Sequence, residues 1–347
     1  MEQRSPSIGG PGDNRPVHGE VARIVYASQS RISGSVYAEM ERIRGAAMRH
    51  NPQLGVHTAL LYQSGWFVQW KEGPGDAMVS LMARVARDRR HHSLRVVHST
   101  HGPRLLDGPW SMAIVQRAEK PDDMTLRVLQ LRDRIEAGAQ YSPPSVWRQL
   151  STPMQLPIAA LRAEPDVFQR VLVCAAFGGA SMELVQWLAH RTGASVVHRR
   201  FAGSQDRDIS TDLIDFEHDG EVLRMVAMAR AGLALPLTRA FMPDFSHVML
   251  LLCGNVDRDL TLLKAVVSAF SGLPSPPALL GVAANEAAHA RPAAIAQGLD
   301  LVYLACHADP KDGAAVWEAA QPLLGDWRQA ANSGPAGIAA RARTIRR

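Results

Sequence analysis

Long apolar runs are missing from this sequence. None approaches the ~20 residues that a helix needs to cross a bilayer, which argues against a membrane span. The segment from Met1 to Gly19 is polar and rich in Pro and Gly, without the apolar core of a signal peptide. Cysteine is scarce. Cys174, Cys253 and Cys306 all lie in apolar strand-like runs and are expected as buried, reduced thiols of a cytoplasmic protein. No Cys/His spacing resembles a zinc site, so no metal is expected. Charge of one sign is not in large excess either, at a formal net of +5. Part of it falls at Arg341, Arg343, Arg346 and Arg347, after a Gly/Ala/Pro stretch. A flexible basic tail can touch nucleic acid or acidic lipid. A solvated, disordered end is the simpler expectation, and no nucleic-acid-binding motif is present.

What the chain does have is length and apolar content for two domains: 347 residues, 46% of them hydrophobic. Residues 1–20 read as disordered. Residues 21–115 read as a compact α/β unit. Residues 116–165 carry a charged helix, Asp122 to Ala137, then a stretch punctuated by Pro143, Pro144, Pro153 and Pro157. Residues 166–331 alternate strands and helices, and 332–347 form the basic tail.

The first unit opens with Arg23-Ile24-Val25-Tyr26-Ala27-Ser28, apolar on both faces as a central strand is. A helix follows from Tyr37 to Arg49. A hairpin then runs Val56 to Tyr62, turns at Gln63-Ser64-Gly65, and returns from Trp66 to Lys71. Alternation puts Trp66, Val68 and Trp70 on one face of the return strand, and Phe67, Gln69 and Lys71 on the other. Asp76 stands as N-cap of a second helix, with Met78, Leu81, Met82 and Val85 on one stripe. Strands Leu94 to Thr100 and Trp110 to Gln116 close a βαββαββ order.

Several polar groups in this unit sit in apolar surroundings: Tyr26, His50-Asn51, Gln69, and Trp110 beside Ser111 and Met112. Buried polar groups cost free energy unless hydrogen-bonded, so together they suggest a polar ligand. Each alone has a plainer reading. Tyr26 and the tryptophans would be core, Asn51 a helix C-cap, and the run Arg87 to His92 a set of cations at the negative end of a helix dipole.

The ordered string R-I-V-Y-A-S, H-N, A-L-L-Y-x-x-G-x-F-x-Q-x-x-E-G, R-D-R-R-H and W-S-M resembles the BLUF family of blue-light sensors, which use FAD. The resemblance covers residues 21–115 and implies a ferredoxin-like α+β fold. It implies that Tyr26 gives an electron and a proton to the photoexcited flavin, and that Gln69 bridges it to the ring. It implies that Asn51 binds the ring's pyrimidine edge beside His50, and that Asp88, Arg90 and His91 form the charged turn near its polar side. Ser28 joins the cofactor-binding set. Trp110 and Met112 match the pair on the last strand that reports the light state. FMN or riboflavin stay open beside FAD, because the fold mainly grips the ring. The sequence departs from the family at His57-Thr58, at Lys71, and at Arg104-Leu105-Leu106. Thr58 adds bulk near the flavin, and Lys71 brings an ammonium to the face of Gln69.

The order of elements after Asp166 predicts an α/β domain with a mostly parallel sheet. It resembles, more weakly, a Ras-like small GTPase. Cys174 to Ser181 stands where a phosphate-binding loop would be, with Cys174 for its first Gly and Ala180 for its Lys. Loss of that Lys argues against NTP hydrolysis. Thr211 stands near the switch threonine, and Asn285-Glu286 only echoes the guanine motif. No Gly-Gly-Asp-Glu-Phe, Glu-Ala-Leu or cyclase signature is present. The expectation is therefore a light sensor joined to a protein-interaction output domain that contacts a downstream signalling protein. A homodimer, a nucleotide-binding enzyme and a flavin-free module are left open.

Overall fold

The computed structural model describes residues 19–115, 120–151, 168–202, 208–273 and 275–325. The basic tail, the segment holding Pro153 and Pro157, and most of the N-terminal segment lie outside the described residues. Among the described residues no helix is long and apolar enough to cross a membrane.

The first unit holds β1 (Val21–Ser30), α1 (Val36–His50), β2 (His57–Gln63), β3 (Trp66–Gly73), α2 (Gly75–Ala86), β4 (His91–Gly102) and β5 (Trp110–Val115). This is the expected βαββαββ order. β1 lies between β3 and β4, antiparallel to both, which accounts for its two apolar faces. The β2–β3 hairpin turns at Ser64 and Gly65, both at positive φ, and β5 runs parallel to β2 on its other side. Asp76 does not cap α2. The helix starts at Gly75 with Pro74 as its cap residue, so Asp76 falls in the first turn, where its charge still meets the positive helix end.

The second unit holds β6 (Gln169–Ala175), α5 (Ala180–Thr192), β7 (Val197–Ala202), β8 (Asp208–His218), β9 (Glu221–Met228), α6 (Pro236–Phe241), β10 (His247–Leu251), α7 (Val256–Phe270), β11 (Ala278–Ala283), α8 (Ala287–Gly298), β12 (Tyr303–His307) and α9 (Gly313–Leu324). Strands β12, β11, β10, β6 and β9 are parallel, and β8 and β7 complete the row antiparallel. Apolar side chains fill both faces of this sheet, as parallel strands covered by helices require. Inside it Arg224 and Asp215 form a two-pronged ion pair at 2.6 and 2.7 Å, both side chains buried. Cys174 and Cys306 are buried as expected, but Cys253 is exposed, because β10 ends at Leu251 and the chain turns outward before α7.

The two units share one sheet. β5 pairs antiparallel with β7, Met112 opposite Ala202 through Val115 opposite Arg199, so the described strands form a single twelve-stranded row from β12 to β4. Two helices between the units, α3 (Pro121–Glu136) and α4 (Pro143–Ser151), lie on the back of the first sheet. Val128, Leu131, Trp147 and Leu150 join Val68 and Trp70 of the first unit and Phe201, Leu213 and Leu237 of the second in one apolar cluster. Residues 121–136 and 143–151 thus supply core to both units.

Candidate functional site

On the opposite face of the first sheet, α1 and α2 stand apart and leave a cleft. It encloses about 820 Å³ of empty space, open mouth included. Its walls are Ile43, Ala46 and Ala47 from α1, Leu81, Arg84 and Val85 from α2, and Phe67 and Trp110 from the sheet. The polar lining is His50, Asn51, Gln69, Lys71, Asp88, Arg90 and His91. Apolar walls with a few convergent polar groups are the usual make-up of a small-molecule site.

Seven of the ten expected site residues meet in this cleft: Gln69, Trp110, His50, Asn51, Asp88, Arg90 and His91. Tyr26, Ser28 and Met112 lie in the layer behind it. Tyr26 is fully buried and sits directly opposite Gln69 in the β1–β3 register. Burial, and then the charge of Asp88, push its phenol well above the usual range, so the hydroxyl keeps its proton. That hydroxyl has no well-aligned hydrogen bond, although the Gln69 carboxamide is near enough to ease its ionisation. Ser28 Oγ and Trp110 Nε1 are likewise buried without a partner. Met112 packs with Met40, Leu60, Phe67 and Trp110 between the sheet and α1.

Three buried polar atoms without a partner lie at or just behind this cleft, and a ligand with donors and acceptors along a flat edge would supply partners for such groups. A flavin ring has that character. Its apolar faces suit the Ile43 and Val85 walls, and its polar edge suits Asn51, Gln69 and Lys71.

The charged rim is organised. Asp88 accepts from the Arg90 backbone at 3.0 Å and pairs with its guanidinium, which also faces Glu39 at 3.6 Å. Burial opposes the Asp88 charge, but Arg90 outweighs it and holds the carboxyl below its ordinary range. Burial holds His91 below the ordinary histidine value, which favours a neutral ring there.

The departures from the family resolve differently. His57 faces away from the cleft, its Nδ1 2.6 Å from the Leu106 carbonyl, so it braces the β4–β5 loop. Glu72 braces the same loop, accepting from the amides of Leu105 and Leu106 at 2.8 and 2.9 Å. Thr58 is buried, and its hydroxyl lies 3.1 Å from Asn51 Nδ2 and 3.4 Å from Lys71 Nζ. Lys71 does reach the cleft. Arg84 lines it too, which the sequence does not signal, because this residue stands beside the apolar stripe of α2 rather than in it.

β5 leaves the site on its other edge. Ser111 Oγ accepts from the backbone N–H of Leu237 in α6 at 3.2 Å, and Arg239 of α6 pairs with Asp107 in the β4–β5 loop. Gly108, at φ +124°, lies against α6 so closely that a Cβ there would meet Pro236 Cγ at 2.7 Å.

Residues 21–113 match the family described as sensors of blue-light using FAD. Curated relatives include the photoactivated adenylate cyclase beta subunits of Euglena longa and Euglena gracilis. The first is 34% identical over 121 residues, 35% of this chain and 12% of that protein. The second is 34% identical over 93 residues, 27% of this chain and 10% of that protein. The chain thus spans about a tenth of the length of these relatives. Among solved structures, the BLUF protein BlrB in its dark state matches at 22% identity and TM-score 0.27, over 39% of this chain and 94% of that one. A bacterial light-regulated adenylyl cyclase matches at 12% identity and TM-score 0.28, over 71% of this chain and 67% of that one. Residues 21–113 are therefore a BLUF domain, of a flavin-binding blue-light sensor family.

Proposed function

We propose that this chain is a blue-light photoreceptor that holds FAD in the cleft between α1 and α2 and signals through β5 to the second unit. The observation that carries the reading is Tyr26, a buried, protonated phenol opposite Gln69 at the floor of that cleft. Asn51, Gln69 and Lys71 would hold the ring's polar edge. Ile43, Leu81 and Val85 would hold its faces, and Asp88, Arg90, His50 and His91 its exposed side. When bound, the flavin supplies blue-light absorption and an electron-accepting ring.

The rest is the work of this chain's residues. Tyr26 can give up an electron and, with it, the proton on its hydroxyl, which burial retains against the weaker pull of Arg90. Gln69 carries two donors and one acceptor on a planar amide, so it can exchange hydrogen bonds between Tyr26 and the ring without moving charge. Trp110 Nε1 and Ser28 Oγ, both orphaned, are free to take up either arrangement. Trp110 and Met112 lie on β5, so a rearrangement of the cleft reaches the strand whose far edge pairs with β7 and whose Ser111 holds α6. This direct ladder, rather than the intervening helices alone, is our route for the signal. The second unit then acts as a protein-interaction output.

A second reading makes the second unit a light-regulated nucleotide-binding enzyme. It is favoured by a cleft lined by Gly254, Asp259, Asn285 and Arg291 at the carboxyl ends of β10 and β11, where open α/β sheets bind ligands. Binding of labelled GTP or ATP to the full chain tests it.

The primary test is an absorption spectrum of the purified protein, in darkness and after blue light. A flavin spectrum that shifts slightly to the red and recovers in the dark is expected. A colourless protein that cannot be reconstituted with FAD would overturn the reading.

A further inference from the structure

Lys71 stands out among the residues of the cleft. It is 5% exposed, and its hydrogen bond among the described residues is to the Thr58 hydroxyl at 3.4 Å, long for an ammonium. No carboxylate of the described residues is placed to pair with it. The charged and titratable groups that share the cleft are Arg84 on α2, His50 on α1, and Asp88, Arg90 and His91 at the rim. Arg84 repels it, and Asp88 is engaged by Arg90. A buried ammonium left in this state is costly. Its neighbours show where a partner would come from: Thr58 Oγ1 links it to Asn51, and Gln69 lies on the same strand face two residues away.

We propose that Lys71 is a specificity-determining residue of this site, its ammonium pairing with the carbonyl-bearing edge of the bound flavin ring and favouring the reduced, electron-rich form of that ring. The inference rests on the flavin reading above and deepens it. An isoalloxazine gains negative charge on its nitrogen and carbonyl edge when reduced, so a cation there binds the reduced ring more tightly than the oxidised one. A charge-assisted hydrogen bond is about twice as strong as a neutral one, so about a tenfold preference for the reduced ring is expected. The empty site holds Lys71 at a pKa of about 7, by burial and then by Arg84. Pairing with the ring favours the protonated form, so FAD affinity falls as pH rises above about 7.

The test uses the full chain with FAD. Its two-electron midpoint potential is measured in wild type, Lys71→Met and Lys71→Arg, and FAD affinity is followed against pH by fluorescence quenching. A tenfold loss of preference corresponds to a potential about 30 mV lower in Lys71→Met, with Lys71→Arg keeping most of the wild-type value. The wild-type affinity falls above pH 7, and the Met variant's does not. Equal potentials in wild type and Lys71→Met, or an FAD affinity in wild type that does not change with pH, would overturn the role of Lys71 while leaving the flavin sensor standing. A wild-type chain that takes up no FAD would remove both.

Discussion

Lys71→Met in the flavin-free protein is expected to raise stability, which is the reverse of the usual effect of a buried substitution. In the unfolded chain the amine has its ordinary pKa of 10.5, and in the fold it stands at about 7. The charged form is therefore disfavoured by folding, by about 1.4 kcal/mol for each tenfold change in proton affinity. At neutral pH that amounts to roughly 4 kcal/mol, an upper figure because the fold can relax around a buried charge and admit water to it. The unfolded chain binds more protons than the folded one between about pH 7 and 10.5, so wild-type stability rises with pH across that window. Below about pH 7 the penalty is complete and the dependence flattens. Methionine keeps most of the apolar stem and removes the charge, so the variant loses this slope. Urea unfolding of both proteins without flavin, at pH 7 and at pH 10, measures it. The gap favours the variant at pH 7 and nearly closes at pH 10, while other titrating groups cancel in the difference. A variant less stable than wild type at pH 7, or equal pH slopes, would refute the burial argument.

Other outcomes follow from the same geometry. Gln69→Leu should abolish the light-induced red shift while keeping flavin bound, and a normal shift in difference spectra would remove Gln69 from the switch. Tyr26→Phe should do likewise, because it deletes the proton and the readily oxidised phenol, and transient absorption after a flash would show whether the light signal persists. Asp215→Ala leaves Arg224 as an unpaired buried cation and should cost about 3–5 kcal/mol, read from the denaturation midpoint. Ser111→Ala removes the acceptor for the Leu237 amide. It should leave the spectral shift intact and reduce the light-dependent change in hydrogen exchange of residues 236–241.

Much of the first unit is legible in the sequence because its signals are local. The alternation from Trp66 to Lys71 fixes which side chains share a face, and the structure places Gln69 and Lys71 on the wall of the cleft as that alternation requires. Apolar residues on both faces mark β1 as interior. The start of α2 at Gly75 is hidden because Asp76 is a good capping type, while the actual cap residue, Pro74, makes no side-chain capping bond and leaves no such signature. The β5–β7 pairing leaves no trace either. Its partners are over 80 residues apart, and a strand paired on one edge reads in sequence like a strand paired on two. The bracing of the β4–β5 loop by His57 and Glu72 is equally non-local: each reads as a departure or a motif letter until Leu105 and Leu106 come back beside it.

The shared sheet also bears on how the molecule can be divided. A fragment ending after Val115 would bare the β5 edge, where Met112, Ala113, Ile114 and Val115 offer unpaired backbone groups with no charge or proline to deter pairing. The complementary fragment bares β7, whose Arg199 and Arg200 protect it better. The isolated light-sensing fragment is therefore the one that would seek a substitute strand from another molecule, and self-association along that edge would be a product of cutting the chain rather than a property of the intact protein.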